Sequence, residues 1–428
     1  MPKKKRETIH CCLFASERYW TEPETLEKAA AGIEASLKDA ADSFRLITSP
    51  DELPEQGDEN AVLLALPLSG AVQQTVLRAA EDFPLICLFP GYVEGNLPEA
   101  IRRELLLKNA APAVMDVFGV LKRDKKVLLS RNLETLRRHL QATRAWSAVR
   151  QSKILLIGKT EDWVISNSRD LSSYSERLGT TIEEILRQTL VDYTKEVPLE
   201  EAEALASRWQ EGARDILEVD RDDIVKASRV SAALEKLLND YEADGAAIGC
   251  FDLLKPLDTS SCLAVSHINN DTDKIAACEG DLDSALTMLM MKKLSGKRLW
   301  MANPNLQKDE SVNFVHCTAP VSAGGKACPY CLRNHHESGM GVSPQVDFPD
   351  NAELTVCRLS DEARKITIQK AVGRRGPREA SCRTQMRVYF EDYAHYLESS
   401  LGCHQVFAFG DMTEEMKLLA QLFDLEIV

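Results

Sequence analysis

The residues best equipped for chemistry lie in the last third of the chain. Glu279-Gly280-Asp281 sets two acidic side chains where a helix begins, because Ala285, Leu286, Leu289 and Met290 follow at helical spacing. On the residues alone this is either an acidic helix start, favoured by the helix dipole, or a carboxylate pair for metal or proton work. Leu299-Trp300-Met301-Ala302 reads as a short buried strand with Asn303 at its C-terminal end. Open α/β sheets gather ligands at that end, but Asn followed by Pro304 is also an ordinary turn pair. His316-Cys317-Thr318 ends another strand, where a histidine is either structural or site-facing. Cys328-Pro329-Tyr330-Cys331 has the spacing of a redox dithiol and of half a zinc site, with His335 and His336 just beyond. No second such motif follows and no thioredoxin-like strand precedes it, so plain thiols in a loop are the third reading. Arg374-Arg375-Gly376-Pro377-Arg378 is a basic turn, either solvated or anion-binding.

The elements that must position these groups alternate between strand and helix. Ile9-His10-Cys11-Cys12-Leu13-Phe14, Val62-Leu63-Leu64-Ala65-Leu66 and Pro84 to Phe89 are apolar runs of strand length. Helical patterns separate them at 24–41, up to Ala79, and at 98–107, the first preceded by Pro23. This alternation means a parallel sheet covered by helices. A basic helix at 133–150 closes the unit, and Lys153-Ile154-Leu155-Leu156-Ile157-Gly158 starts a second one. Helices are expected at 181–192, 199–217 and 221–241, then a strand at 246–251. Gly158 alone is weak support for a phosphate loop. After Asn305, short runs of β propensity separated by Gly, Pro and charged turns predict a β-rich region: 312–316, 354–359 and 365–368, with a closing helix at 412–423. The expected fold is α/β, two doubly wound parallel-sheet domains (1–150 and 151–305) followed by a β-rich C-terminal domain (306–428).

The length of 428 residues suits two or three domains, and a hydrophobic fraction of 44% is enough for sizeable cores. A net charge of −14 argues against nucleic acid, and no apolar run reaches membrane-spanning length. Met1-Pro2-Lys3-Lys4-Lys5-Arg6 is basic but lacks the apolar core of a signal peptide; it reads as a solvated tail or a nuclear-import patch. Twelve cysteines without a secretion signal point to a reducing cytoplasm and buried free thiols.

Several of these stretches together resemble the fucose and arabinose isomerases. The similar runs are Ala276-Ala277-Cys278-Glu279-Gly280-Asp281, Ser284-Ala285-Leu286-Thr287, Met301-Ala302-Asn303-Pro304, His316-Cys317-Thr318 and His404-Gln405-Val406-Phe407-Ala408-Phe409-Gly410. Asp162-Trp163-Val164 and His335-His336-Glu337-Ser338-Gly339 are also similar, and Cys382-Arg383-Thr384-Gln385 looks like a segment of isomerase-like proteins. The resemblance is dense from about Lys153 onward and faint before it. It implies an aldose–ketose isomerase acting through a metal-stabilised enediol, with manganese held by Glu279, Asn303 and His404. It further implies Glu279, Asp281 and Asn303 as the catalytic set, and a homo-oligomer with a small-molecule sugar as substrate. His316, His335, Arg383 and Gln385 would contact that sugar, with Arg383 read either as a clamp for an anionic substituent or as an ordinary surface ion pair. Zinc at Cys328 and Cys331 is a separate expectation. Asn303 stands where the family has Asp, so the site carries one negative charge fewer and lacks that base. Either Asp281 takes over as base, or the reaction is a related lyase or aldol step on a modified sugar. A sugar-binding protein that kept the fold without catalysis is the reading from another class.

Overall fold

In the computed structural model, residues 8–53 and 59–428 are described, so the basic stretch at 1–6 lies outside them. The chain divides into two compact units, Met1–Ala148 and Val149–Val428.

The first unit is built on five parallel strands in the spatial order Ser43–Ile47, Ile9–Phe14, Val62–Pro67, Leu85–Leu88, Lys126–Leu129. Val62–Pro67 and Leu85–Leu88 are buried along their whole length, as near-continuous apolar runs in a parallel sheet should be. Phe14, Leu63, Ile86, Val76, Val114 and Val117 form part of one core between the sheet and the helices Gln73–Glu81 and Ala110–Leu121.

The second unit begins with four parallel strands ordered Ile275–Ala277, Gly245–Ile248, Lys153–Ile157, Thr181–Ile185. The last of these corrects an expectation. The helix predicted from 181 starts only at Arg187, because Thr181–Ile185 pairs with Lys153–Ile157 and its Glu183 meets Lys153 at 3.0 Å. Partial burial at a sheet edge tolerates the two glutamates that read as helical. The helix from Leu199 also stops early, at Gly212, and Asp215–Ile216 becomes a strand beside Tyr330–Arg333. Cys262–Asp271 is a helix.

The β-rich region is a closed barrel. Six antiparallel strands run in the order Ala352–Ser360, Gln405–Phe409, Leu299–Leu306, Val312–His316, Thr384–Phe390, Lys365–Arg374, and the last pairs back with the first. Closure removes the sheet edges. Trp300, Phe314 and Phe407 pack together, with ring centroids 5.4 Å (Trp300–Phe407) and 4.7 Å (Phe314–Phe407) apart. Leu299–Leu306 belongs to this barrel, so Asn303 does not end a parallel strand. It sits within an antiparallel one, opposite Val315. The helix Leu282–Ser295 touches both the parallel strands and the barrel strands Ala352–Ser360 and Gln405–Phe409. It is buried on nearly every side, hence its run of Met288, Leu289, Met290 and Met291 without a polar face. Among the described residues no helix is long and apolar enough to cross a membrane.

Candidate functional site

The site starts where the strand Ile275–Ala277 turns into the helix Leu282–Ser295. The turn is tight. Gly280 has φ +62°, and a Cβ there would lie 2.6 Å from the Lys159 carbonyl oxygen and the Thr160 Cα, so only glycine fits. Glu279 also takes a left-handed conformation, φ +59°, uncommon for a residue with a side chain. Backbone bonds hold it there: the Glu161 N–H donates to the Glu279 carbonyl at 3.0 Å, and the Gly280 N–H to that of Ile248 at 2.8 Å. The Glu279 carboxylate accepts from Trp163 Nε1 at 2.7 Å and lies 3.5 Å from His404 Nε2.

Asp281 caps the helix, accepting from the Ser284 N–H at 2.8 Å and from its hydroxyl at 2.9 Å. It also bonds His404 Nδ1 at 2.8 Å and accepts from Arg358 at 3.1 Å. All four of these partners are internal and the carboxylate is fully buried, so Asp281 stands behind His404 and does not line the cavity. The expectation that it serves as the base is corrected on that ground. Burial pushes its carboxyl up, but the Arg358 guanidinium and then His404 outweigh this and hold it well below the usual range.

Arg358, fully buried, ties the back of the site together. It donates to Asp281, to Ser284 Oγ at 3.1 Å, to the His404 carbonyl at 2.8 Å and to Ser166 Oγ at 2.9 Å, and lies 3.7 Å from Asp283. Asp283 in turn accepts from the Tyr174 hydroxyl at 2.8 Å and the Ser360 hydroxyl at 3.2 Å. Burial pushes the Asp283 carboxyl up to about 7, opposed by Arg358 and reinforced by Asp281.

His404, just before Gln405–Phe409, and His316, at the end of Val312–His316, come from two barrel strands. His316 bonds Thr318 Oγ1 through Nδ1 at 2.8 Å, and its ring lies edge-on to that of His404 at 5.5 Å. Burial, then the neighbouring His404, pushes the His316 imidazole down to about 3, so it is neutral near pH 7. Burial also opposes charge on Glu279, but His404, His316 and Trp163 more than offset it and hold the carboxyl at about 2. One donor atom from each of Glu279, His316 and His404 lies within 4.8 Å of the other two, and among the described residues this is the group of three able to hold a metal ion.

A divalent cation fits this group on three counts. The set is one ionised carboxylate and two imidazoles. His404 Nε2 is buried with no hydrogen-bond partner, a cost that a ligand would relieve. And Asp281 fixes the other ring nitrogen, the usual carboxylate–histidine arrangement behind a metal.

These residues open onto a concave pocket lined by polar and apolar side chains. Glu279, Asn303, His316, His335 and Glu337 line it with Phe251 and Leu254. Five cysteines complete much of the wall: Cys250, Cys262, Cys278, Cys317 and Cys382. The Cys382 thiol donates to Cys317 and, despite burial, holds it down to about 7.

The other expected residues lie elsewhere. Arg383 is occupied by the Asn334 carbonyl oxygen at 2.9 Å, by the Asn334 side chain, and by Glu218 at 3.3 Å. Gln385, in the strand Thr384–Phe390, donates to the carbonyls of Glu379 and Cys382 at 2.9 and 3.0 Å. Neither lines the cavity. Cys328 bonds the Lys326 carbonyl, and Cys331 accepts from Arg214 at 3.2 Å; neither joins a metal-capable group, so zinc at this pair is not what the geometry provides. Sequence reasoning missed Arg358, the cavity thiols and Glu337 as a lining carboxylate. A lone Arg between Cys357 and Leu359 in an apolar strand was the available signal for the first.

Fold and site thus define an α/β-plus-barrel protein with a Glu-His-His group at the wall of a pocket. No protein-family model matches the chain. It is similar, at 21% identity over 306 residues and 67% of each chain, to a protein from Alkalicoccus urumqiensis named sulfoquinovose isomerase.

Proposed function

We propose that this chain is a sugar aldose–ketose isomerase in which Glu279, His316 and His404 hold a divalent cation. The observation that carries the reading is the buried, unpartnered His404 Nε2, 3.5 Å from an ionised Glu279 and within ligand reach of a neutral His316. Similarity to a protein named as a sugar isomerase supports the reaction class. When bound, the cation supplies an electrophile for the sugar's oxygens and stabilises the negative charge of the enediol stage.

The chain's own residues do the rest. Asp281 fixes the His404 ring so that Nε2 faces the ligand position, and Arg358 holds Asp281 and the His404 backbone carbonyl in place. Asn303 offers an amide to a sugar hydroxyl but cannot take a proton. Glu337, the other carboxylate among the lining residues, is therefore the proton carrier between the two adjacent carbons. Phe251 and Leu254 receive the apolar face of the ring. Manganese as the ion and a homo-oligomeric state are the finer parts of the proposal and follow from the resemblance to fucose and arabinose isomerases.

The test is a panel of aldoses, the sulfonated sugar of the relative included, assayed with added Mn2+. Wild type should exchange solvent deuterium into the product carbon. Glu337→Gln should lower that exchange about a hundredfold or more while leaving Mn2+ binding intact. No exchange with any sugar would overturn the isomerase reading.

A further inference from the structure

The thiols in the cavity wall have no part in the reaction just described, yet two of them are placed to react with each other. Cys250 and Cys278 follow the ends of neighbouring parallel strands, Gly245–Ile248 and Ile275–Ala277, whose register sets Ala247 opposite Ala277. Their Sγ atoms are 3.1 Å apart. Both line the cavity, with Cys250 9% and Cys278 5% exposed, so a small oxidant that enters meets them.

We infer that Cys250 and Cys278 are a reversible dithiol–disulfide pair, a modification site for a small peroxide or disulfide-forming oxidant. With a peroxide, one thiolate attacks an oxygen and breaks the O–O bond, giving a sulfenic acid and the alcohol or water. The second thiol displaces the sulfenic hydroxyl, forming the S–S bond and releasing water. The two sulfurs lose two electrons and two protons, which end in the reduced peroxide and the water. A thiol reductant reverses the change by exchange.

The consequence for the site follows from its backbone. An S–S bond is about 2.0 Å long, so closing it brings the two sulfurs about 1 Å closer than the 3.1 Å at which they stand. The Lys159 and Thr160 backbone packs closely against Gly280, two residues beyond Cys278. Glu279 is next to Cys278 and already in a left-handed conformation, so strain from the crosslink passes to it first. Oxidation should loosen the hold of Glu279 on a cation. That last step rests on the proposed metal site; formation of the crosslink does not.

The experiment uses the full chain, oxidised with a diazene reagent or hydrogen peroxide, alkylated, digested and mapped by mass. The expected result is a Cys250–Cys278 crosslinked peptide that forms before any other pair, disappears on reduction, and is absent from both Cys250→Ser and Cys278→Ser. Using both variants guards against one failing to fold. Mn2+ should bind the oxidised protein about tenfold more weakly than the reduced protein. If Cys250 and Cys278 stay alkylatable while Cys317 and Cys382, or the exposed Cys403, are the ones oxidised, the inference is overturned. If the crosslink forms and Mn2+ affinity does not change, its coupling to Glu279 is overturned. A crosslink in a protein that isomerises no sugar would leave the pair standing and remove the isomerase reading instead.

Discussion

Two buried histidines of the second unit show what separates a structural imidazole from one held for a ligand. His267 is 3% exposed and both ring nitrogens are engaged, Nε2 with Glu235 and Nδ1 with Asp271, each at 2.8 Å. Burial pushes its pKa down, but the two carboxylates more than offset this and leave it raised. His404 is equally buried and is also flanked by carboxylates, yet only Nδ1 is bonded; Nε2 is left bare 3.5 Å from Glu279. A closed set of partners contributes stability. A set left one short costs stability in the free protein and offers that energy to a ligand.

The comparison is broken most severely at Arg358. Arg358→Ala leaves Asp281 and Asp283 buried without their cation and opens a void, so denaturant unfolding should show a loss of about 3–5 kcal/mol. Glu279→Gln keeps the shape and removes the charge. Thermal unfolding should barely move, whereas turnover should fall at least about a hundredfold. Asp281→Asn acts one step back. By freeing the His404 ring it should weaken Mn2+ binding by about 10–100-fold, with at least partial rescue by Asp281→Glu if charge rather than reach is what is missing.

His267→Gln has the smallest effect and sharpens the contrast, since it touches stability alone. Its folded pKa is raised, so its contribution is fully present below the unfolded value of about 6.5 and is lost as pH rises through the folded one. Asp271 is lowered, so its share appears above its unfolded value of about 4. The variant should thus lose on the order of 1 kcal/mol at about pH 5–6 and progressively less as pH rises through the folded His267 value, with cation binding unchanged. Arg208 and Lys236, which line the same surface groove as His267, make the window salt-sensitive.

Much of this framework is legible in the sequence where local pattern decides the outcome. The apolar runs 62–67 and 85–88 are strands because burial on both faces leaves them no polar positions. Thr181–Ile185 is not legible, because its Glu183 and Glu184 are tolerated only by its edge position, a tertiary fact. The same limit applies at the site. Glu279 stands out through its turn and its resemblance. Asn303 is misplaced by sequence reasoning because Leu299–Leu306 pairs with Gln405–Phe409, about a hundred residues on, and not with the nearby parallel strands. His316 and Arg358 acquire their neighbours only when the barrel closes, which no local spacing encodes.

The central claim is that Glu279, His316 and His404 form one cation site. The most direct measurement is a calorimetric titration of chelator-treated protein with Mn2+, run on wild type and on Glu279→Gln, His316→Gln and His404→Gln. The account predicts one bound ion per chain in wild type and a loss of about tenfold or more in affinity for each variant, with the fold retained by circular dichroism. Wild-type protein that takes up no divalent ion, or variants that bind it as tightly as wild type, would contradict it.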